Sequence, residues 1–491
     1  MASFLPDIPS PRPRLLYCTC FVWAACLGGG FVAPFLQDQA GLSEGLVGTA
    51  LASQWLIMAF TGSMGGTLAD RLENSYPGAG RATVIQVGVA MGTLCYLAHG
   101  LHLAFRPDST AFSIFQSFTW HLVMRLIFAT SNALTAPVLD GLTIAYLEQQ
   151  ENHPSGEGMG KADFGKERLF GAISWAVGNL ISGVLVDAFG FSALYWLALA
   201  AGVVSYAVLE VFKLTMVAEQ RLESEARHIR AQESAREARG EMAHLLKKKC
   251  SDDETMFENG DHNQDGAYMT TGDVLASIFS TIYGFGFVFS FLTLSMGTNI
   301  VEGLIFTWFR ELGASNTFCG FTVALTVVFE IPLFHWSPSL LVKYGPGILQ
   351  AVAGLAYVTR VVGYSIVPQG QVYYVMLLEP LHGMTYALSM TSAVDFMAQR
   401  LPSEQAAAGQ GWVWTGRSIG AVVGLLGGSW TQQMFGGRIM YRIFAGIVAL
   451  GMTVYGIANR LTHAKALKSS ESIEIEPTNI QNVDAQNMDG D

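Results

Sequence analysis

The sequence predicts an all-α membrane protein whose twelve transmembrane helices form two six-helix halves. Three observations carry that prediction: composition, the number of long apolar runs, and the placement of basic residues in the loops between them. The 491 residues are 51% hydrophobic and only 14% charged, with a mean hydropathy of +0.35. A soluble chain of this length carries about 25% charged residues. Glycine is abundant at 53 residues, as expected where helices pack closely in lipid.

A helical span of the bilayer needs roughly 20 apolar residues. By that measure the N-terminal half holds candidate spans at 15–37, 46–68, 82–104, 117–147, 166–187 and 191–212. The C-terminal half holds them at 275–308, 316–341, 346–367, 372–398, 409–434 and 438–460. The first run follows Arg12 and Arg14 and so imitates a signal peptide. It exceeds the usual apolar core of roughly 7–15 residues, and many spans follow it, so it reads as the first span. The fourth and seventh runs are long enough to need a bend, which Pro137 supplies in the fourth.

Basic residues set the orientation. With a cytoplasmic N-terminus, that side receives Arg12, Arg14, Arg71, Arg81, Lys161, Lys166, the 213–249 cluster, Lys343, Arg400, Arg460, Lys465 and Lys468. The other side receives little beyond Arg106, Arg310 and Arg438. Both termini are therefore expected in the cytoplasm, most simply at the plasma membrane. The expected organisation is a cytoplasmic N-terminus (1–14), a first bundle (15–212), a cytoplasmic charged linker (213–271), a second bundle (272–462) and an acidic tail (463–491). Within the linker, 219–249 reads as a solvated helix with pairs such as Glu223 to Arg227, and 251–266 as a disordered acidic segment. Asp261 to Gly266 imitates the start of an EF-hand loop, but its twelfth position is Gly272 instead of Glu. The linker therefore reads as solvated chain, and the net charge of −11 identifies no partner. The six cysteines form neither a disulfide framework nor a zinc spacing. No metal, cofactor or nucleic acid is expected.

The two halves look like repeats. Val177-Gly178 is followed by Phe189-Gly190, and Val423-Gly424 is followed at the same spacing by Phe435-Gly436. Six plus six spans related by a parallel repeat is the plan of the major facilitator superfamily, and the chain resembles that superfamily at further points. Gly66-Thr67-Leu68-Ala69-Asp70-Arg71, with Arg81 beyond an insertion from Leu72 to Gly80, resembles its loop signature. That resemblance implies a gating role for Asp70 and Arg71, while the insertion loosens the match at Arg81. Arg125, beside His121 in the fourth span, resembles the superfamily's membrane-embedded arginine, with Ala129 in place of its usual glycine. A snorkelling arginine near the interface is the plain alternative. The fifth span lacks the Gly-Pro pair of family antiporters, which favours uniport or symport.

The stretch from Ala136 to Trp175 is more specific. Ala136-Pro137-Val138-Leu139-Asp140, a polar crossing, and then Phe164-Gly165-Lys166-Glu167-Arg168-Leu169-Phe170-Gly171 with Trp175 bring an acid, a base and an indole onto neighbouring spans. Intramembrane charges are costly, so a functional reading is the default, with a structural ion pair as its rival. The pattern resembles the lactose permease branch, the oligosaccharide:proton symporters, and the eukaryotic proteins of the major facilitator superfamily associated domain. The resemblance implies that Asp140 and Arg168 hydrogen-bond a sugar-like solute on which Trp175 stacks. Guanidinium forks, carboxylate acceptors and an indole face suit such a ligand.

The second half supplies Glu302, Glu330, Arg360, Glu379 and His382 in apolar surroundings. Arg360 and His382 resemble the permease's ninth-span arginine and tenth-span histidine. Glu302 roughly matches a seventh-span acid, and Glu330 lies near an eighth-span acid, so both join the expected solute site. Where the branch has its proton-carrying Glu this chain has Thr385, and Glu379 stands where the branch has lysine. The expectation is that Glu379 and His382 carry the proton while Glu330 and Arg360 tune them. Asp395, Arg400 and Arg417 read as gate or interface charges. The leading expectation is a proton-coupled symporter of a small polar solute, sugar-like or nucleoside-like, functioning as a monomer in the bilayer. The alternatives are an uncoupled facilitator and a membrane receptor that keeps the fold. No nucleophile or metal motif supports an enzyme.

Overall fold

A computed structural model describes residues 12–101, 111–151, 163–246, 271–401 and 406–474. Among them the first half comprises α1 (Pro13–Gly28), α2 (Val32–Asp38), α3 (Glu44–Ser75), α4 (Gly80–Leu101), α5 (Ala111–Glu151), α6 (Phe164–Phe189) and α7 (Ser192–Leu246). The second half comprises α8 (Thr271–Phe279), α9 (Ile282–Glu311), α10 (Asn316–Ile366), a short 3-10 helix (Val372–Leu377), α11 (Pro380–Ala398), α12 (Ala406–Phe435) and α13 (Gly437–Glu474). The acidic stretch 251–266, with its EF-hand-like start, and most of the tail lie outside the described residues.

Among the described residues seven helices are long and apolar enough to cross a membrane: α4, α5, α6, α7, α9, α10 and α13. α3, bent by 41°, makes an eighth. α10 contains the expected spans 316–341 and 346–367, joined at Gly345, whose φ of 75° and ψ of 165° interrupt the helix. Glycine tolerates that conformation, and Pro346 follows it. The N–H of Gly370 donates to the carbonyl of Leu312 at 2.9 Å, so the two ends of α10 lie side by side as the legs of a hairpin. The remaining expected spans fall on α1 with α2, on the 3-10 helix with α11, and on α12.

Two long apolar runs are divided where the backbone is weakest. The first breaks around Gly29 and Gly30 between α1 and α2. The seventh breaks between α8 and α9, where the Thr281 side chain caps α9 by accepting from Gly284 N at 3.0 Å. The sixth span continues without a break into the part of the linker expected to be helical. α7 runs unbroken for 55 residues, well past the expected boundary at 213.

The repeat has a geometric counterpart. Gly190 caps α6 with φ 75° and Gly436 follows α12 with φ 81°, so both glycines after Phe turn the chain in the left-handed region. Gly178 of α6 lies against Val22 and Ala25 of α1, and Gly424 of α12 lies against Met296 of α9. The same glycine thus admits the first helix of each half.

Polar contacts between the halves gather at one end. Arg310 of α9 donates to Asp38 of α2 at 2.5 Å. Asp187 of α6 accepts from the backbone of Asn316 and Thr317 at the start of α10, at 3.0 and 2.6 Å. Gln433 of α12 accepts from the N–H of Gly45 in α3 at 2.8 Å. The backbones of α6 and α10 approach so closely that a methyl group on Gly183 would lie 2.3 Å from the carbonyl oxygen of Asn316. This end of the bundle is sealed. Elsewhere many large apolar side chains, such as Leu94, Trp196, Leu355 and Leu377, are exposed, as a lipid-facing belt requires.

Candidate functional site

In the first half, α1, α5 and α6 bring three polar groups together. Tyr17 donates its hydroxyl to Asp140 Oδ1 at 2.6 Å. Arg168 Nε donates to both oxygens of Asp140, at 3.3 and 3.4 Å. Asp140 lies one turn after Pro137, inside α5. The pair is open: the Arg168 side chain is 48% exposed and that of Asp140 32%. Trp175, two turns along α6 from Arg168, is half-buried. Sequence reasoning missed Tyr17, because a tyrosine in an apolar run carries no signal of its own. It also missed Glu167, which accepts from the backbone N–H and the guanidinium of Arg14 at 2.8 and 2.9 Å and so ties α6 to the start of α1.

In the second half, Glu302 of α9 pairs with Arg417 of α12 through Nη2, at 2.7 and 2.9 Å. The Arg417 guanidinium also lies over the ring of Tyr386 at 4.9 Å and that of Trp55, from the other half, at 5.6 Å. Such faces attract a cation. Arg417 had only the sequence signature of a charge near a helix start; its partner is 115 positions away. Glu330 is half-buried and lies in the field of Glu302, Arg417 and Arg168. Tyr386 is felt by Arg168 as well. Glu330 and Tyr386 therefore stand in the field of Arg168 from the first half and of the Glu302–Arg417 pair from the second. A recess beside them is lined by Arg417, by the hydroxyls of Ser295, Thr298, Thr385, Tyr386 and Ser389, and by the apolar Phe291 and Met390.

The remaining expected residues form a separate, sealed network. Arg360 Nη2 donates to Glu379 Oε2 at 3.0 Å, and both side chains are 3% exposed. Tyr364 donates to Glu379 Oε1 at 2.5 Å, and Thr326 donates to Oε2 at 2.9 Å. Arg360 also contacts His382 Nδ1. A guanidinium can only donate, so Nδ1 accepts and the imidazole carries its proton on Nε2. Glu379 thus has three donors on two oxygens, the satisfied state of a buried carboxylate.

Asp70 pairs with Arg81 at 2.9 Å. The insertion between them is accommodated because α3 continues to Ser75, while Glu73 accepts from the N–H groups of Gly78 and Arg81 at 2.7 and 2.9 Å. Arg71 is exposed. Arg125 is 1% exposed, so it does not snorkel. It donates from Nε to Gln54 Oε1 at 3.2 Å and lies 4.3 Å over the Phe128 ring. His121 faces the buried His99, Nδ1 to Nδ1, at 2.6 Å. At the end of α11, Asp395 accepts from Gln399 at 2.7 Å and Arg400 lies 3.5 Å over Phe396. Among the described residues no group of three or more potential ligands could hold a metal.

The comparisons with known proteins agree with this architecture. The structure is similar to that of the nucleoside transporter NupG, with a TM-score of 0.63 at 14% identity over 91% of this chain and 99% of that one. It is also similar to a POT family transporter in complex with 5-aminolevulinic acid (TM-score 0.59, 11% identity, 91% and 94% of the two chains). A bacterial homolog of the human lysosomal transporter Spinster, inward-facing and unoccupied, matches with a TM-score of 0.56 at 11% identity over 91% and 95% of the two chains. At such identities the likeness concerns the fold. No curated protein sequence matches the chain. The model of the MFS_1 like family matches residues 15–443, so this multi-pass membrane protein belongs to the MFS_1-like family, among transporters and not enzymes.

Proposed function

We propose that the protein moves a small polar solute, sugar-like or nucleoside-like, by alternating access, and that transport is proton-coupled symport. The observation that carries this reading is that Glu330 and Tyr386 stand in the field of both the open Asp140–Arg168 pair's arginine and the Glu302–Arg417 pair. An ion pair that is exposed and held by long hydrogen bonds exchanges partners at little cost, which suits recognition. Asp140 and Arg168 take solute hydroxyls or amides, Trp175 offers an apolar face, and Glu302 with Glu330 closes the site from the other half. The nucleoside cargo of the similar NupG transporter supports including nucleosides.

For coupling, Glu330 is the best-placed carboxyl. It lies between the acid Glu302 and two arginines, so a proton on it redistributes the charge of the whole site. Glu379, Arg360 and His382 support it as a rigid wall on the adjoining helices, since Glu379 is already saturated with donors. Asp70, Arg71 and Arg81 belong to the gate at the side of the termini, which the basic residues assign to the cytoplasm, and Arg125 braces α5 against α3. The plasma membrane is the proposed location and the monomer the proposed unit.

The test is a thermal-shift panel of sugars and nucleosides on purified protein, followed by uptake of any hit into proteoliposomes under an imposed pH gradient. A ligand whose shift vanishes in Arg168→Ala, and whose accumulation but not exchange is lost in Glu330→Gln, is the expected result. No shift from any compound would instead favour a receptor role, for which the long extension of α7 beyond its membrane span offers a docking element.

A further inference from the structure

At the sealed end, Gln432 of α12 sits between two carboxyl groups from opposite halves. Its Nε2 donates to Glu44 Oε1 at 3.2 Å and to Glu311 Oε1 at 3.3 Å. Gln432 is 2% exposed, and its own Oε1 is buried without a hydrogen-bond partner. Glu44 is half-buried and Glu311 exposed, and Gln432 holds them together, each in the field of the other. Two carboxylates sharing one buried amide cannot both carry charge cheaply, and one proton between them removes the conflict. The unpartnered Gln432 oxygen fits the same conclusion: an amide turned about its axis accepts from a carboxylic acid as readily as it donates to a carboxylate.

Position decides which group holds the proton. Glu44 is the first residue of α3, where the helix dipole favours negative charge, and Glu311 is the last residue of α9, where it opposes it. The arginines beside Glu311 among the described residues are engaged elsewhere. Arg310, one residue before it, is committed to Asp38 at 2.5 Å. Arg438, at the head of α13, donates to the carbonyl of Val367 at 3.0 Å. The titratable group facing Glu311 from α13 is Tyr441, which is buried. On the side of α3, Gln433 accepts from Gly45 N and brings no charge.

We infer that Glu44, Glu311 and Gln432 form a proton-binding site built between the halves, occupied when this end is sealed and emptied when the halves part. Sealing takes up one proton onto Glu311, and opening returns it to the water at that face. The site is distinct from Glu330 and the solute site. The inference rests on alternating access between the halves, but it requires neither a known solute nor net transport.

Spin labels at Ser43→Cys and Gln371→Cys, both exposed and on opposite halves, report the separation at this end in lipid nanodiscs. The buried cysteines Cys20, Cys26, Cys95 and Cys319 stay in place. The expected result is a short distance at acid pH that gives way to a longer one between about pH 5 and about pH 7, the range open to a partly solvated carboxyl beside a like charge. Above the midpoint, the closed-to-open ratio falls by about tenfold per pH unit, as release of one proton requires. Glu311→Gln, a neutral copy of the protonated acid, stays short throughout. Glu44→Gln removes the repelling charge and moves the midpoint down by about one unit or more, which keeps the test decisive should the first variant fold poorly. A pH-independent distance in the unmodified protein, or an unaltered pH response in both variants, would overturn the inference. So would a response that follows replacement of sodium by choline instead of pH.

Discussion

Two acid–arginine pairs, one from each half of the molecule, behave as opposites. Asp140–Arg168 in the first half is 32% and 48% exposed, with hydrogen bonds of 3.3 and 3.4 Å. Glu379–Arg360 in the second half is 3% exposed on both sides, with Tyr364 and Thr326 completing the carboxylate's shell. The chemistry is the same, but the surroundings decide its use. A solvated pair can surrender its partner to a ligand, whereas a desolvated pair must keep it, because the charge left behind would be stranded. The Glu302–Arg417 pair lies between the extremes, with Arg417 6% and Glu302 31% exposed. It presents an acid to the site while its base is anchored.

The largest effect should come from breaking the sealed pair. Arg360→Ala leaves Glu379 buried without its cation and should cost about 3–5 kcal/mol; thermal unfolding in detergent measures it. The double change Arg360→Met with Glu379→Leu should recover much of that loss, and equal damage in both variants would show that shape and not charge is at stake. Next comes Arg168→Ala. Stability should change by less than about 1 kcal/mol, since the pair is exposed. Uptake of an identified solute should nevertheless fall by about 10- to 100-fold, the worth of charge-assisted hydrogen bonds at about 1.5–3 kcal/mol. A proportionate loss of stability would make Asp140–Arg168 a second staple and erase the contrast. Gly183→Leu addresses the seal between the halves. Even a methyl group there meets the Asn316 carbonyl at 2.3 Å, so the larger side chain should penalise the sealed form by about 1–3 kcal/mol. Spin labels across that end should report the longer separation. The smallest effect is expected at Asp70→Asn, whose exposed pair with Arg81 is worth at most about 1 kcal/mol; initial uptake rates should shift by no more than about fivefold.

Much of the fold was legible because a bilayer constrains the chain so simply. Among the described residues the expected spans fall largely on helix, since backbone polar groups in lipid must be satisfied within the segment. Asp140, Arg168, Glu379 and His382 stood out for the same reason: charge in an apolar run is expensive and therefore visible. Tyr17 and Gln54 did not stand out, being ordinary residues until their partners Asp140 and Arg125 are known. Arg417 was visible but its partnership with Glu302 was not. A run of residues shows which face of a helix is polar, not which helix 115 positions earlier will meet it. Helix boundaries were the other weak point, because the end of an apolar run marks the edge of the lipid and not the end of the helix, as the continuation of α7 to Leu246 shows.

The sequence by itself determined that this is a helical membrane protein of two related halves with costly charges kept in both. Those properties follow from local rules of hydrophobic length, charge and glycine spacing. Only the tertiary structure decided which charges are open and which are sealed. It also brought Glu44 and Glu311 to the same amide of Gln432 and set Glu330 in the field of both Arg168 and Arg417. Exposure and pairing are properties of distance between helices remote in the chain, and in a low-dielectric interior those distances decide whether a charge binds a solute, takes a proton or holds the fold.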